Sequence, residues 1–199
     1  MRFCSYTLTY DTGLAPNPFW GYCTLTVCTP NHMGIKAKVG DWFLGNTATK
    51  LGDKIIYAMQ VSEVLPFEAY DADPRFEAKK PIMKASWQKR CGDNLYYRDE
   101  QGAWQQRPNP YHATPEKMAQ DLKHPTAFIS KHFYYFGENA IVMPPDFLDL
   151  LQRRQGCKCN HSPQLVKAFV IWLEQNYDMG VHGEPRDSPK MQGRSKNLP

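Results

Sequence analysis

Residues 2–10 (RFCSYTLTY) and 22–28 (YCTLTVC) alternate apolar and polar positions with a period of two, the pattern of strands with one buried face. In the second stretch Cys23, Leu25 and Val27 share one face, and Thr24 and Thr26 share the other. Residues 41–45 (DWFLG) and 54–64 (KIIYAMQVSEV) continue the series across a Gly-containing turn. The longer of the two is apolar on both faces, which predicts a central strand. Residues 94–106 predict a hairpin turning at Asp99–Gly102, and residues 126–137 and 139–143 predict two late strands.

Helical punctuation is sparser. Thr114, Pro115 and Glu116 read as an N-cap, a proline at the first helical position and an acidic first turn. Pro145 and Asp146 open a second helical stretch that closes at Arg153, Arg154 and Gly156. Ser162 and Pro163 start a third, in which Leu165, Val166, Phe169, Val170 and Leu173 recur on one face. From Gly180 the periodicity stops and Gly, Pro, Ser and charge take over, which predicts a flexible tail over residues 180–199. Many short strands with few helices predict an α+β fold. The expected form is a small curved β-barrel with flanking helices and a C-terminal helix, in one domain over residues 1–179.

Composition adds bounds. A chain of 199 residues, 42% hydrophobic and 13% aromatic, is long and apolar enough for one sizeable core. Its apolar runs fall short of the ~18 residues that span a membrane. The N-terminus alternates like a strand, without the apolar centre of a secretion signal, so the cytosol is the expected compartment. The net charge of +4 is mild, and half of it comes from Arg186, Lys190, Arg194 and Lys196 against Glu184 and Asp187. Any role with nucleic acid must therefore rest on local clustering and stacking. No dinucleotide-binding glycine fingerprint, P-loop, HExxH or GxSxG is present.

The six cysteines do not read as a disulfide framework; Cys4, Cys23 and Cys28 sit in strand patterns as small buried hydrophobes. Cys157, Cys159 and His161 (GCKCNH) have the chemistry of metal ligands but lack the paired spacing of zinc sites, so no metal is expected. A different chemistry is suggested by NPFWG, residues 17–21, which sets Phe19 and Trp20 on a loop between Pro18 and Gly21. The two rings either plug one end of the sheet or wall a pocket for a planar group. A base stacked on such a ring is worth about 1–3 kcal/mol.

Two Gly-Asp turns place Asp41, Trp42, Asp93 and Asn94 at strand starts. Residues 67–81 (FEAYDADPRFEAKKP) mix Phe67, Tyr70 and Phe76 with Arg75, Lys79 and Lys80 in an irregular segment. It suits either flat faces with a bound phosphate or a solvated loop pinned by its rings. Ser130 and His132 lie on a late strand, and Asn17, Asp73 and Tyr96 complete the candidate ligand set. Asp41, Asp73, Asp93, Tyr96 and His132 are the candidate acid/base groups, with no local signature of nucleophile, base and orienter.

The order of the motifs NPFWGYCTLTVCTP, VGDWFLGN, IIYAMQVSEVLPFEAYDADPRF, KKP, GDNLYY and ISKHFYYFG, over residues 1–145, resembles the second of the families called nucleotide modification associated domains, found in bacteria and phages. KVGDWFLG and IIYAMQVSEVLPF are more loosely similar to the PUA-like barrels of the EVE, ASCH and YTH groups. The resemblance implies a small barrel that grips a modified base of a nucleic acid or nucleotide, without cofactor. The alternative it leaves open is an enzyme that makes or edits the modification. The expected pocket has Phe19 or Trp20 as a wall and Asp41, Trp42, Asp93 and Asn94 as a floor. Arg75 and Lys80 would stand at its mouth to meet a phosphate.

Overall fold

In the computed structural model, which describes residues 1–27, 35–112 and 114–188, the alternating segments become twelve strands. These are β1 (Phe3–Thr7), β2 (Cys23–Leu25), β3 (Trp42–Asn46), β4 (Lys54–Gln60), β5 (Glu63–Pro66), β6 (Tyr96–Arg98), β7 (Trp104–Gln106), β8 (Thr126–Ser130), β9 (His132–Tyr135), β10 (Ile141–Val142), β11 (Cys157–Lys158) and β12 (Gly180–Val181). Four α-helices join them: α1 (Phe67–Ala72), α2 (Trp87–Arg90), α3 (Pro115–Asp121) and α4 (Pro163–Asn176), with short 3-10 turns between. The class is mixed α+β. No helix among the described residues is long and apolar enough to cross a membrane.

The main sheet runs β11-β1-β3-β4-β9-β12, with β10 also on β4; a second sheet runs β2-β8-β5, and β6 and β7 form a separate hairpin. Two stretches pass from one sheet to the other. The β4–β5 and β8–β9 segments lie antiparallel and bend together, where Ser62 N–H donates to Ile129 O (2.7 Å) and Lys131 N–H donates to Ser62 Oγ (3.0 Å). This shared bend supplies the expected curvature, but the expected barrel is not formed by the described strands. Closure requires edge strands to meet in register, and here the two-residue strands β11 and β12 end the main sheet without pairing with each other. Parallel pairing of β1 with β3 and of β12 with β9 makes that sheet mixed.

Helix α4 covers one face of the main sheet, packing Val166, Phe169 and Leu173 against Phe3, Trp42 and Tyr134. Its N-cap follows the sequence signal: Ser162 Oγ accepts from Leu165 N–H and Pro163 opens the helix, a cap worth about 1 kcal/mol. The opposite face holds Tyr6, Phe43, Tyr57 and Tyr135. A third cluster lies under the second sheet and contains Phe67, Tyr70 and Phe76. Burial of those three rings organises residues 67–79, expected to be irregular, into α1 and a 3-10 turn over Pro74–Lys79. The stretch expected as a helix from Pro145 is a 3-10 turn over Pro145–Leu150 whose buried residues are Phe147 and Leu150.

Two further expectations are corrected. Strand β11 lies antiparallel to β1 with Ser5 opposite Lys158, and this register joins Cys4 to Cys159 in a disulfide across 155 residues of sequence. Residues 180–188, expected in the tail, are bound into the fold, while residues 189–199 lie outside the described residues. Strand β12 pairs with β9, His182 N–H donates to Tyr135 O (2.7 Å), and Glu138 N–H donates to Glu184 O (2.8 Å). Asp187 and Asp11 are joined twice, once through a side chain and once through the backbone: Asp11 N–H donates to Asp187 Oδ2 (2.7 Å) and Asp187 N–H to Asp11 O (2.8 Å).

Peptide mapping of unreduced protein, alkylated after denaturation, is expected to recover Cys4 joined to Cys159, with label on Cys157; label on Cys4 would contradict the pairing. A second expectation concerns Asp11, whose burial pushes its carboxyl from 3.8 up to about 6 against hydrogen bonds from Tyr135 and Arg186 N–H. Between those values the native state holds a proton that the unfolded chain has released, so this group's contribution to stability falls as pH rises through that window. Urea unfolding of Asp11→Asn beside the wild type should show the difference moving in the variant's favour from about pH 4 to about pH 7, on the order of 3 kcal/mol at most. A difference that is flat with pH would remove Asp11 as the titrating group.

Candidate functional site

The loop that carries Phe19 and Trp20 is closed at its base by Asn17 and Thr24, each donating its N–H to the other's carbonyl (2.9 and 3.0 Å). Trp20 and Gly21 follow with φ of 58° and 80°. Glycine adopts such angles freely, but for a bulky side chain a positive φ is an outlier that costs about 1–3 kcal/mol and persists only where neighbours enforce it. The enforcing group is Lys79. Its side chain is fully buried, at 0% exposure. Its ammonium donates to Asn17 O (3.0 Å), Asn17 Oδ1 (2.7 Å) and Tyr22 O (3.0 Å), so both ends of the loop hang on one nitrogen.

Asn17 is fixed in turn, donating from Nδ2 to Gly13 O and Cys91 O, both at 3.0 Å. Asp93 supplies the balancing charge. Its carboxylate accepts from Thr24 Oγ1 (2.6 Å), Thr26 Oγ1 (3.2 Å) and Tyr70 OH (2.8 Å), and Asn94 Nδ2 donates to Tyr70 O (3.2 Å). Burial pulls Lys79 down to about 8, with Asp93 opposing, and burial raises Asp93, with Lys79 opposing. Gly92 permits this packing, since a Cβ there would sit 2.2 Å from Lys79 O. Four of the predicted residues, Asn17, Tyr70, Asp93 and Asn94, are thus brought together beneath the loop as a buried network.

Above that network the rings form a row. Phe19 meets Trp20 and Trp87 edge-on, each at 5.5 Å between centroids, and Lys89 Nζ lies 4.9 Å from the Trp20 ring centre. A cavity of about 700 Å³ separates Phe19 and Trp20 from the 180–184 segment, with Gln88 and Phe133 also in its lining. Glu138, Asn139 and Glu184 give it a polar rim. Asn139 Nδ2 donates to His182 O (2.7 Å), and Glu184 Oε2 is buried without a hydrogen-bond partner among the described residues. Gly137 (φ 55°) lets the segment approach, because a Cβ there would lie 2.2 Å from Glu184 O. The volume is that of a small-molecule site, with apolar walls and a few fixed polar groups.

The remaining predicted residues lie in other surroundings and are not in the lining of this cavity. Asp41 caps a turn, accepting from Arg2 and Lys38 N–H, and Trp42 is core. Arg75 pairs with Asp73 (2.6 Å) and Glu63 (2.9 Å), and Lys80 with Glu77 (2.7 Å) and Asp71 (3.5 Å), so carboxylates already occupy the groups expected to meet a phosphate. Tyr96 OH donates to Asp121 (2.7 Å), and Ser130 Oγ donates to His132 O (2.8 Å). His132 packs on Trp42 and sits 3.2 Å from Tyr134 OH. Of the trio in GCKCNH, Cys159 is in the disulfide and His161 Nε2 lies 2.8 Å from Lys158 O. Gln88, Lys89, Asn139 and Glu184 were not foreseen: Gln88, Lys89 and Glu184 stand in stretches without periodicity or motif, and Asn139 was read only as the start of a strand.

The family model described as Nucleotide modification associated domain 2 matches residues 1–192. No curated protein matches the chain. No solved structure matches it either, so the likeness to PUA-like domains rests on sequence motifs alone.

Replacing Lys79 by Met would leave three carbonyl acceptors and the Asp93 carboxylate without their cation. Chemical denaturation should show a loss of about 3–5 kcal/mol. A variant as stable as the wild type would mean that this ammonium does not hold the loop.

Proposed function

We propose that this chain, which belongs to the nucleotide modification associated domain 2 family, is a binding module that holds a modified base of a nucleotide or nucleic-acid strand in the cavity beside Trp20. The supporting observation is the enforced placement of Trp20, at positive φ and over a buried ammonium, in the wall of a cavity of about 700 Å³. A base out of its stack needs flat apolar faces and a few fixed polar groups that read its edge. Trp20 and Phe19 offer the first, and the rim of Glu138, Asn139 and Glu184 offers the second. Lys89, whose ammonium lies 4.9 Å from the Trp20 ring centre and donates one N–H to Ala78 O (2.7 Å), keeps two N–H donors for the phosphate, the part expected of Arg75 and Lys80. With a net charge of only +4, stacking and edge contacts rather than a broad basic field carry the affinity.

Calorimetric titration with nucleoside monophosphates and short single-stranded oligonucleotides tests this reading. Trp20→Ala should weaken binding by about 1–3 kcal/mol and leave the fold intact, because the ring is only half-buried. Trp20→Gly should do the same while relieving the backbone. Loss of the fold in both variants would make Trp20 a packing residue and end the proposal. A changed ligand mass after incubation would replace the binding module by an enzyme.

A further inference from the structure

Three sulfurs meet at one edge of the main sheet. Strand β11 lies antiparallel to β1 with Tyr6 opposite Cys157 and Ser5 opposite Lys158, so Cys4 faces Cys159 and the two are joined. Cys157 stands two residues before Cys159, and residues two apart in a strand share a face. Its thiol is free and exposed, and its Sγ lies 3.9 Å from Cys159 Sγ. The two ends of the disulfide differ in access. Cys4 is 1% exposed, within the cluster of Tyr6, Leu8 and Phe43, whereas Cys159 sits at that cluster's margin, only partly buried. A reagent in solvent therefore meets Cys157 before it meets Cys4.

We propose that Cys157 is a relay thiol through which the Cys4–Cys159 bond exchanges with low-molecular-weight thiols of the glutathione class. Exchange proceeds by attack of a thiolate on one sulfur of a disulfide. In the first step the Cys157 thiolate attacks Cys159 Sγ. The Cys157–Cys159 bond forms, the Cys4–Cys159 bond breaks, and Cys4 leaves with the electron pair and takes up the proton that Cys157 gave up. No electrons enter or leave the chain. A protonated Cys4 suits its place, since a neutral thiol packs as a small apolar side chain. In the second step a glutathione thiolate attacks Cys157 Sγ, the exposed end, and Cys159 leaves as the thiolate. A second glutathione then attacks the mixed disulfide and departs as glutathione disulfide, so two electrons have passed to the chain and all three cysteines are thiols. The reverse sequence rebuilds the bond with glutathione disulfide as oxidant. The Cys4–Cys159 pair, set by the register of β1 and β11, is the resting form. The Cys-x-Cys spacing in GCKCNH, which no metal explains, is what places the relay sulfur beside its target.

The test follows loss of the Cys4–Cys159 bond in the folded full chain under excess reduced glutathione, read by peptide mapping after acid quenching. Cys157→Ser, a change of one atom at an exposed position, should slow the loss by about tenfold or more, because an internal thiol at this distance acts at an effective concentration far above that of the free reagent. Equal rates in the two proteins overturn the relay and mean that glutathione reaches the disulfide directly. Cys4→Ser tests the geometry by itself. Treated with glutathione disulfide, it should close Cys157 onto Cys159, seen as the loss of two hydrogens in mass with no adduct retained. Glutathione held on either cysteine, with no internal bond, overturns the first step and the proposal with it. Cys157→Ser keeps the Cys4–Cys159 bond, so the comparison of rates decides the question even if Cys4→Ser fails to fold.

Discussion

One buried ammonium sets the geometry on which the candidate site depends. Lysine carries three N–H donors, and the three acceptors around Lys79 Nζ, all within 3.0 Å, use each of them. Two of the three are main-chain carbonyls on either side of Phe19 and Trp20, so the loop's span is fixed by the reach of a single nitrogen. An ion taken out of water at this depth is unfavourable unless fully paired. The chain answers with a second buried charge, Asp93, itself held by three hydroxyls. An apolar pair of equal volume would fill the same space and give the loop no direction. Here the polar network defines a position for two rings rather than adding stability.

The opposite wall depends on a different device. Residues 184–188 return along the N-terminal turn at residues 9–13, where Arg186 reaches Thr9 O (2.8 Å) and Asp187 is laced to Asp11. Gly13 is the crossing point: a Cβ there would lie 2.9 Å from Pro185 and 3.0 Å from Phe19. The turn thus touches the aromatic loop and the C-terminal segment together. The cavity between them is defined by contacts between the two ends of the chain, 170 residues or more apart in sequence.

That distance explains what could be read in advance. Period-two alternation and capping residues are local, and they located most strands, the Asp99–Gly102 hairpin and α4 with its Ser162 cap. The kinked NPFWG loop was also local, so Phe19 and Trp20 could be singled out before their surroundings were known. Lys79 was visible only as one of several basic residues suited to phosphate, because nothing adjacent in sequence signals that Asn17 and Tyr22 will surround it. Asp93 and Asn94 were expected as the floor of a pocket; the fold buries them in the network beneath the loop, outside the cavity's lining, since Gly92 lets their turn pack against the Lys79 backbone. Glu184 and the Cys4–Cys159 bond had no local trace at all. Both come from pairings at the sheet's edges, β12 on β9 and β11 on β1, by strands of two residues each.

The placement of Trp20 bears on when the cost of recognition is met. A flexible loop would have to order its rings as the base arrived, and each immobilised side chain takes about 0.5–1.5 kcal/mol from affinity. In this chain the loop is held by its own contacts: the backbone lies at φ 58°, Phe19 is wedged between Trp20 and Trp87, and Lys79 closes the loop. The strain, about 1–3 kcal/mol for such an angle, is carried by the folded state. It is similar in size to what one stacked base returns, so a loop relaxed to ordinary angles would gain in stability about what it lost in grip. Retaining a tryptophan where glycine would sit without strain is therefore intelligible only if the ring's position matters more than the fold's last few kcal/mol.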